Sequence, residues 1–506
     1  MWPVAVASGR RDDQPNLRRL EGTATKMSCK ANLCLRCFLA CSWLAAPAGA
    51  AEPTALNQRA YLLLDQRVVA DAEGVTLRLG QVNKHQANPL MREDKPWEVR
   101  YDNVYANVLY DESDNLFKCF YSPFIIDEVT SGTPPAERAS VKYRWTPTRE
   151  MGLCYAYSQD GIQWTKPELG VVELHGSKKN NLVLRGIHGT GVILDHADPD
   201  PAKRFKLFAG TEVPGKERFT CVAFSRDGIH WTDPLPCTET EVPGDTHNNP
   251  LWVEQRNAYV GITREFTDQR VVMHTESRDF LGWSKAREVL RGDLLHQTYA
   301  MQVSASHGIY LGMLAILNTE TDRVHGELAV SDDTIQWRRV CPGVPLVPNS
   351  DRQGDYDYGC VYIAKSPLRV GDDIRIYYGA SDAPHSGWRD GFLALATLRP
   401  GRWAGYEHTS LGKGSGVTPG RITTAPIICR GAKLKVNALV PQGSLRVGVV
   451  GQNELAGKVC HPIRGNVVDA EVIWTSGADL SPLVGNPVQL EFTIDRGILY
   501  EFEFDD

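Results

Sequence analysis

The stretch Ser158-Gln-Asp-Gly-Ile-Gln-Trp164 recurs as Ser225-Arg-Asp-Gly-Ile-His-Trp231, Ser277-Arg-Asp-Phe-Leu-Gly-Trp283 and Ser331-Asp-Asp-Thr-Ile-Gln-Trp337. The shared pattern is Ser-x-Asp-x-x-x-Trp, with starts 67, 52 and 54 residues apart. A period of this size marks a propeller or a solenoid. Each copy follows a short run of strand formers: Leu153–Tyr157, Cys221–Phe224, Val271–His274 and Leu328–Val330. The expected local structure is a strand, a tight turn and the start of the next strand. The Asp accepts hydrogen bonds from backbone N–H groups two residues on, and Gly161 and Gly228 supply positive φ. The Trp then packs between neighbouring sheets.

Working outward, three strand-like runs precede each copy. The first unit has Tyr105–Tyr110, Leu116–Tyr121 and Met151–Tyr157, and the second has Gly191–Leu194, Phe205–Phe208 and Phe219–Phe224. The third and fourth units repeat the order up to Trp283 and Trp337. A fifth lacks the full turn but keeps its shape: Cys360–Ile363, Ile374–Tyr378, Phe392–Thr397, then Arg399–Trp403. Five four-stranded units close best as a ring, which leaves only short edges exposed. Residues 60–80 are expected to supply the closing strand of the last unit. After residue 412 the rhythm changes to alternating runs such as Ser444–Val450 and Ile498–Phe504, with turns at Pro441-Gln-Gly443 and Asp495-Arg-Gly497. The expected fold is all-β: a five-bladed β-propeller over 55–411 and a small β-sandwich over 412–506.

A chain of 506 residues exceeds one ordinary core. The formal net charge is −6 without a long basic run, so nucleic-acid binding has no compositional support. Residues 1–26 are polar and without hydrophobic period, and read as a mis-annotated extension. Met27 opens a signal-peptide pattern over 27–51: Lys30 and Arg36, the apolar run Cys37–Ala46, then Ala48-Gly-Ala50. Export to the periplasm or beyond is expected, with no transmembrane segment. The eight cysteines after that segment show no CxxC spacing, so buried thiols are expected and neither a metal nor a cofactor is called for.

In a propeller, residues at the start of the inner strands gather at one mouth. Blade one offers Asp102 with Glu98 and Arg100, and blade two offers His188. Blade three offers Asp245, His247 and Asn248, with Arg264 further on. Blade four offers His296 and Tyr299 but no carboxylate, and blade five offers Asp355 and Asp357. Carboxylates from separate blades fit glycoside chemistry, in which one stays ionised and another, kept protonated, gives its proton to the leaving oxygen.

The five repeats, the Trp97–Asn103 approach to the first inner strand and the Asp245 segment resemble the five-bladed propeller glycoside hydrolases of the family 32 and 43 clan. The resemblance spans roughly residues 80–506, since family 32 enzymes also carry a tail sandwich. It implies that Asp102, in Tyr101-Asp-Asn103 where the family has Asn-Asp-Pro, is the base or nucleophile. It implies that Asp245 is the stabiliser, in Asp245-Thr-His where the family has Arg-Asp-Pro. The family's acid is a Glu; the nearest here, Glu327, counts onto a third strand away from the axis, so Asp357 stands beside it as the acid. The resulting expectation is an exported hydrolase acting on a plant or algal poly- or oligosaccharide. Two alternatives stay open: a phosphorolytic enzyme of the family 130 type, and a non-catalytic carbohydrate-binding propeller.

Overall fold

The computed structural model describes residues 55–213, 216–365, 367–409 and 418–506. The expected extension, the signal segment and most of the linker after residue 409 lie outside the described residues. Four antiparallel four-stranded units follow one another in sequence. Blade one consists of Asn107–Asp111, Leu116–Tyr121, Glu150–Ser158 and Leu182–Arg185. Blade two consists of Ile187–Leu194, Phe205–Thr211, Thr220–Ser225 and Leu235–Pro236. Blade three runs from Asn249–Val253 to Arg287–Arg291, and blade four from His296–Ser306 to Arg338–Val340.

The repeated turn forms as its chemistry dictates. Oδ1 of Asp160 accepts from the backbone N–H of Ile162 and of Gln163, both at 2.8 Å, while the Ser158 hydroxyl donates to it. Asp227, Asp279 and Asp333 make the same pair of bonds. The residue after the Asp sits at positive φ each time: Gly161 at 72°, Gly228 at 80°, Phe280 at 66° and Thr334 at 66°. A side chain with a Cβ holds that conformation only under constraint. The tryptophans do join blades. Trp164 meets Tyr377 of blade five, Trp231 meets Phe120 of blade one, and Trp283 stacks on Phe208 of blade two at 4.6 Å.

Blade five contains Cys360–Ile363, Asp373–Ser381 and Gly391–Leu398, but its outer edge comes from the other end of the chain. Asn83–Lys84 and Met91–Arg92 pair with Gly391–Leu398 and close the ring. Residues 60–80 had been expected there. They go elsewhere because Ala60–Leu62 and Val69–Leu79 find partners in the last sheet: Ala60–Leu62 pairs with Ile498–Asp505 and Val69–Glu73 with Gly420–Thr424.

That last sheet has nine strands, including Ala404–His408 from before the expected boundary. Its interior is one apolar cluster in which Tyr61, Leu63 and Val68 pack with Val436, Val447, Phe492 and Phe502. The expected turn at Pro441-Gln-Gly443 is absent. Lys433–Val449 is one 17-residue strand. Its first half pairs with Ile498–Asp505 and its second with Leu490–Asp495, so the strand bends where its partner changes and no turn is needed.

The floor of the ring is polar and filled. Asn107 donates to Thr190 O at 2.7 Å and accepts from Val192 N, tying blades one and two. Lys365 of blade five reaches Asn249 Oδ1 at 3.0 Å and Pro250 O at 2.7 Å in blade three. These buried side chains of Asn107 and Lys365 find partners across blade boundaries, so they help to hold the ring in one arrangement. All eight described cysteines are free thiols, and seven are buried. Among the described residues no helix is long and apolar enough to cross a membrane.

Candidate active site

Above that floor lies a cavity of about 870 Å³, walled by every blade. Backbone irregularities aim its side chains. In blade one, Val104 and Tyr105 both hold positive φ, at 65° and 44°, directly after Asp102 and Asn103. Strain of this kind persists only where surrounding contacts impose it. In blade two the register shifts between His188 and Gly191, and in blade four between Thr298 and Ala300. The first bulge turns His188 and the second turns Tyr299 out of the ladder and into the cavity wall. Gly189, at φ 57°, lies where an added Cβ would meet Thr246 O at 1.5 Å. Only glycine allows that approach, and it brings Asp245 Oδ1 within 3.1 Å of His188 Nε2.

Three carboxylates face the cavity, one each from blades one, two and three: Asp102, Glu212 and Asp245. Each is shared by several cations. Asp102 pairs with Arg389 at 2.8 Å and lies 3.6 Å from Arg100. Glu212 meets Arg218 at 2.5 Å, His188 at 2.6 Å and Arg149 at 3.8 Å. Asp245 meets Arg264 at 2.8 Å and Arg218 at 3.5 Å as well as His188. Burial raises all three carboxyls, but Arg389 beside Asp102, His188 beside Glu212 and Arg264 beside Asp245 outweigh it and hold each below its usual range. Among the described residues, each carboxyl facing the cavity is thus held toward its ionised form, whereas paired-carboxylate chemistry calls for one kept protonated.

The fourth and fifth blades supply a phenol–imidazole pair. The Tyr299 hydroxyl lies 2.9 Å from His385 Nε2 and accepts from Asn103 Nδ2 at 3.2 Å. The guanidinium groups of Arg264 and Arg270 sit 4.6 and 5.2 Å from its ring centre. Burial pushes the phenol up, yet His385 and Arg264 bring it down to about 7. Burial lowers His385, but Tyr299 and Asp322 raise it above its ordinary value. The 124–150 segment forms the outer wall. Tyr143 donates to Asp127 at 2.7 Å and packs on Trp388 of blade five, whose indole N–H donates to Val141 O at 2.6 Å.

Of the residues singled out from sequence, Asp102, Arg100, Asp245, Arg264 and Tyr299 meet at this cavity. His188 joins them, while the others lie elsewhere. Glu98 is buried against Lys166, Tyr101 and Tyr121. His247 packs under Tyr105, where burial lowers it to about 3, and Asn248 is spent on backbone carbonyls. His296 lies 3.4 Å from Asp293 on the outer start of its strand, and Asp355 pairs with Arg352 at the surface. Asp357 is locked to Lys84 of the closing strand at 2.5 Å and accepts from Tyr378. Glu327 is fully buried and saturated by His325, by both forks of Arg339 and by Gly343 N. Neither expected acid touches the cavity. Glu327→Gln should cost about 3–5 kcal/mol of stability, because Arg339 loses its buried partner. Turnover per folded molecule should stay unchanged in that variant. Thermal melts with kinetics on the soluble fraction would check this; loss of turnover in folded protein would return Glu327 to the reaction.

Arg149, Glu212, Arg218, Arg270, His385 and Arg389 carry much of the site and escaped the sequence reading. A weak signal existed for Glu212 and Arg218, which flank the loop joining the second and third strands of blade two as His188 opens that blade.

No family model and no curated protein matches this chain. Several solved structures do. One is described under the GH130 family of mannoside phosphorylases, which contains glycoside hydrolases that target β-1,2 mannosidic linkages in Candida mannan. It has 14% identity and a TM-score of 0.44 over 64% of this chain and 95% of that chain. Another is an N-acetylgalactosamine deacetylase from F. plautii in complex with blood group B trisaccharide, with 13% identity, a TM-score of 0.44, and 65% and 97% coverage. A third is a family 43 arabinoxylan arabinofuranohydrolase from Bacillus subtilis in complex with cellotetraose, with 10% identity, a TM-score of 0.36, and 84% and 98% coverage. The strand order of the described residues makes this chain an all-β propeller, and its likeness to these solved structures is distant.

Proposed function

We propose that the protein is a glycosidase that cleaves its substrate in the cavity at the mouth of the ring. The carrying observation is the convergence there of Asp102, Glu212 and Asp245 with a phenol–imidazole pair. Asp102, held ionised by Arg389 and Arg100, faces the positive charge that develops on the sugar ring as the glycosidic bond breaks. Tyr299 gives its hydroxyl proton to the leaving oxygen, and His385 replaces that proton through Nε2. Asp245, the most open of the three carboxylates, with its side chain 41% exposed, takes the proton of the attacking water. Glu212 acts through Arg218 and His188, holding them in place. The Met27 segment supports action outside the cytoplasm.

The test is reducing-end release from a panel of poly- and oligosaccharides, with and without added phosphate. New reducing ends without phosphate are the expected result. Products appearing only as sugar phosphates would replace hydrolysis with phosphorolysis. Binding without any product would leave a carbohydrate-binding propeller.

A further inference from the structure

The cavity is far more cationic than catalysis needs. Its wall carries eight arginines and lysines against three carboxylates, in a chain of net charge −6. The three carboxylates are each divided among two or three cations, so the surplus charge is not neutralised from within. Arg270 makes one side-chain bond, to the neutral amide of Gln297 at 2.8 Å, and its buried Nε has no partner. Arg149 feels the charges of Asp102 and Glu212, but the salt-bridge contact to Glu212 is long, at 3.8 Å, and its Nε is likewise buried and unbonded.

What holds these groups is aromatic packing. Arg100 sits 4.0 Å from the Tyr143 ring centre, and Arg149 sits 4.5 Å from Phe124 and 5.1 Å from Trp145. Arg270 shares the Tyr299 ring with Arg264. Stacking fixes the plane of a guanidinium without cancelling its charge. A fixed, partly desolvated fork with a free N–H edge is suited to bidentate capture of an oxyanion. At the rim, Trp145 is 63% exposed and offers a flat face of the kind that packs on the apolar side of a sugar ring.

We infer that the sugar seated in this cavity carries an acidic group, a uronate carboxylate or a sulfate ester, received by Arg149 and Arg270 beside the Trp145 platform. The inference rests on the glycan-cleaving reading only for the presence of a sugar; the charge selection is independent of the chemistry. It makes the substrate an acidic glycan. It also gives a reason for the buried unpaired arginine nitrogens, since a buried cation without a counter-charge is costly unless a ligand supplies one.

The experiment is calorimetric titration of the full chain with a galacturonate oligosaccharide and its carboxyl-reduced form, a sulfated oligosaccharide and its desulfated form, and inorganic phosphate. At least one acidic sugar should bind roughly 30-fold or more tighter than its neutral counterpart, and added salt should erode that preference. Which acidic form binds identifies the group. Arg270→Gln and Arg149→Gln should weaken the acidic ligand by about 10-fold or more beyond any effect on the neutral one, and Arg270→Lys should retain part of the preference. Unaltered melting temperatures would confirm folded variants. Equal binding of acidic and neutral forms overturns the inference, as does equal weakening of both by the variants. So does phosphate that promotes binding of the neutral sugar and is consumed in turnover, since the oxyanion is then a free co-substrate. Tight acidic binding without cleavage keeps this inference and removes hydrolysis; cleavage of neutral glycans with no acidic preference does the reverse.

Discussion

Tyr299→Phe protein is expected to lose turnover by about 10²–10⁴-fold with KM little altered, because it removes a proton donor and leaves the ring in place. The pH profile carries the sharper information. If the phenol is the acid, activity falls as pH rises through its value of about 7, when the proton to be donated is lost. That alkaline limb should vanish in the variant. The phenolate should also be visible directly, as an ultraviolet difference between wild type and variant that grows across the same pH interval. The ring still supports Arg264 and Arg270 in the variant, so a merely structural role for the hydroxyl would leave the pH profile unchanged. A folded variant with wild-type turnover and an unchanged profile would sink the assignment and pass the acid role to His385 or His188.

Asp102→Asn is expected to reduce turnover by about 10³-fold or more, since the amide cannot offset the developing positive charge. The same change strips Arg389 and Arg100 of a shared partner. Arg389 is 6% exposed, and its Nε already lacks a bond. Removing one side of a buried pair costs about 3–5 kcal/mol, so melting must be measured beside kinetics. Ligand binding separates the two effects: an intact site that binds but does not turn over points to chemistry. Wild-type turnover in the variant would exclude Asp102 from the reaction. Acid should act in the same direction on the parent protein. Asp102, Glu212 and Asp245 titrate lower when folded than their ordinary carboxylate values. Their contribution to stability is present above about pH 4 and is lost as pH falls toward the folded values.

The ring was legible because its signal is local. The Ser, Asp and Trp of each turn act within seven residues, so the pattern survives in one dimension and sets the blade register. Register brought Asp102 and Asp245 to the mouth and counted Glu327 onto its third strand. The acid was not legible for the opposite reason. Nothing in the sequence around Asp357 tells of Lys84, because the two meet only when the N-terminal segment closes blade five. His385 and Arg389 sit between the second and third strands of that blade, on a loop without periodicity. Tyr299 was noticed by position, but its role depends on a one-residue bulge and on neighbours from blades one, three and five. The bend within Lys433–Val449 was missed because Pro441 and Gly443 read as turn formers, whereas the strand only changes partner there.

During synthesis, residues 83–92 leave the ribosome long before Gly391–Leu398, the strand they fasten, and Ala60–Leu62 waits until Ile498–Asp505 is made. Middle blades can form as they emerge, but the ring stays open with bare strand edges until Gly391–Leu398 has been made. A nascent chain in that state is open to pairing with its neighbours on the polysome. A premature stop just before Ile498 would unseat a strand at the opposite end of the polypeptide.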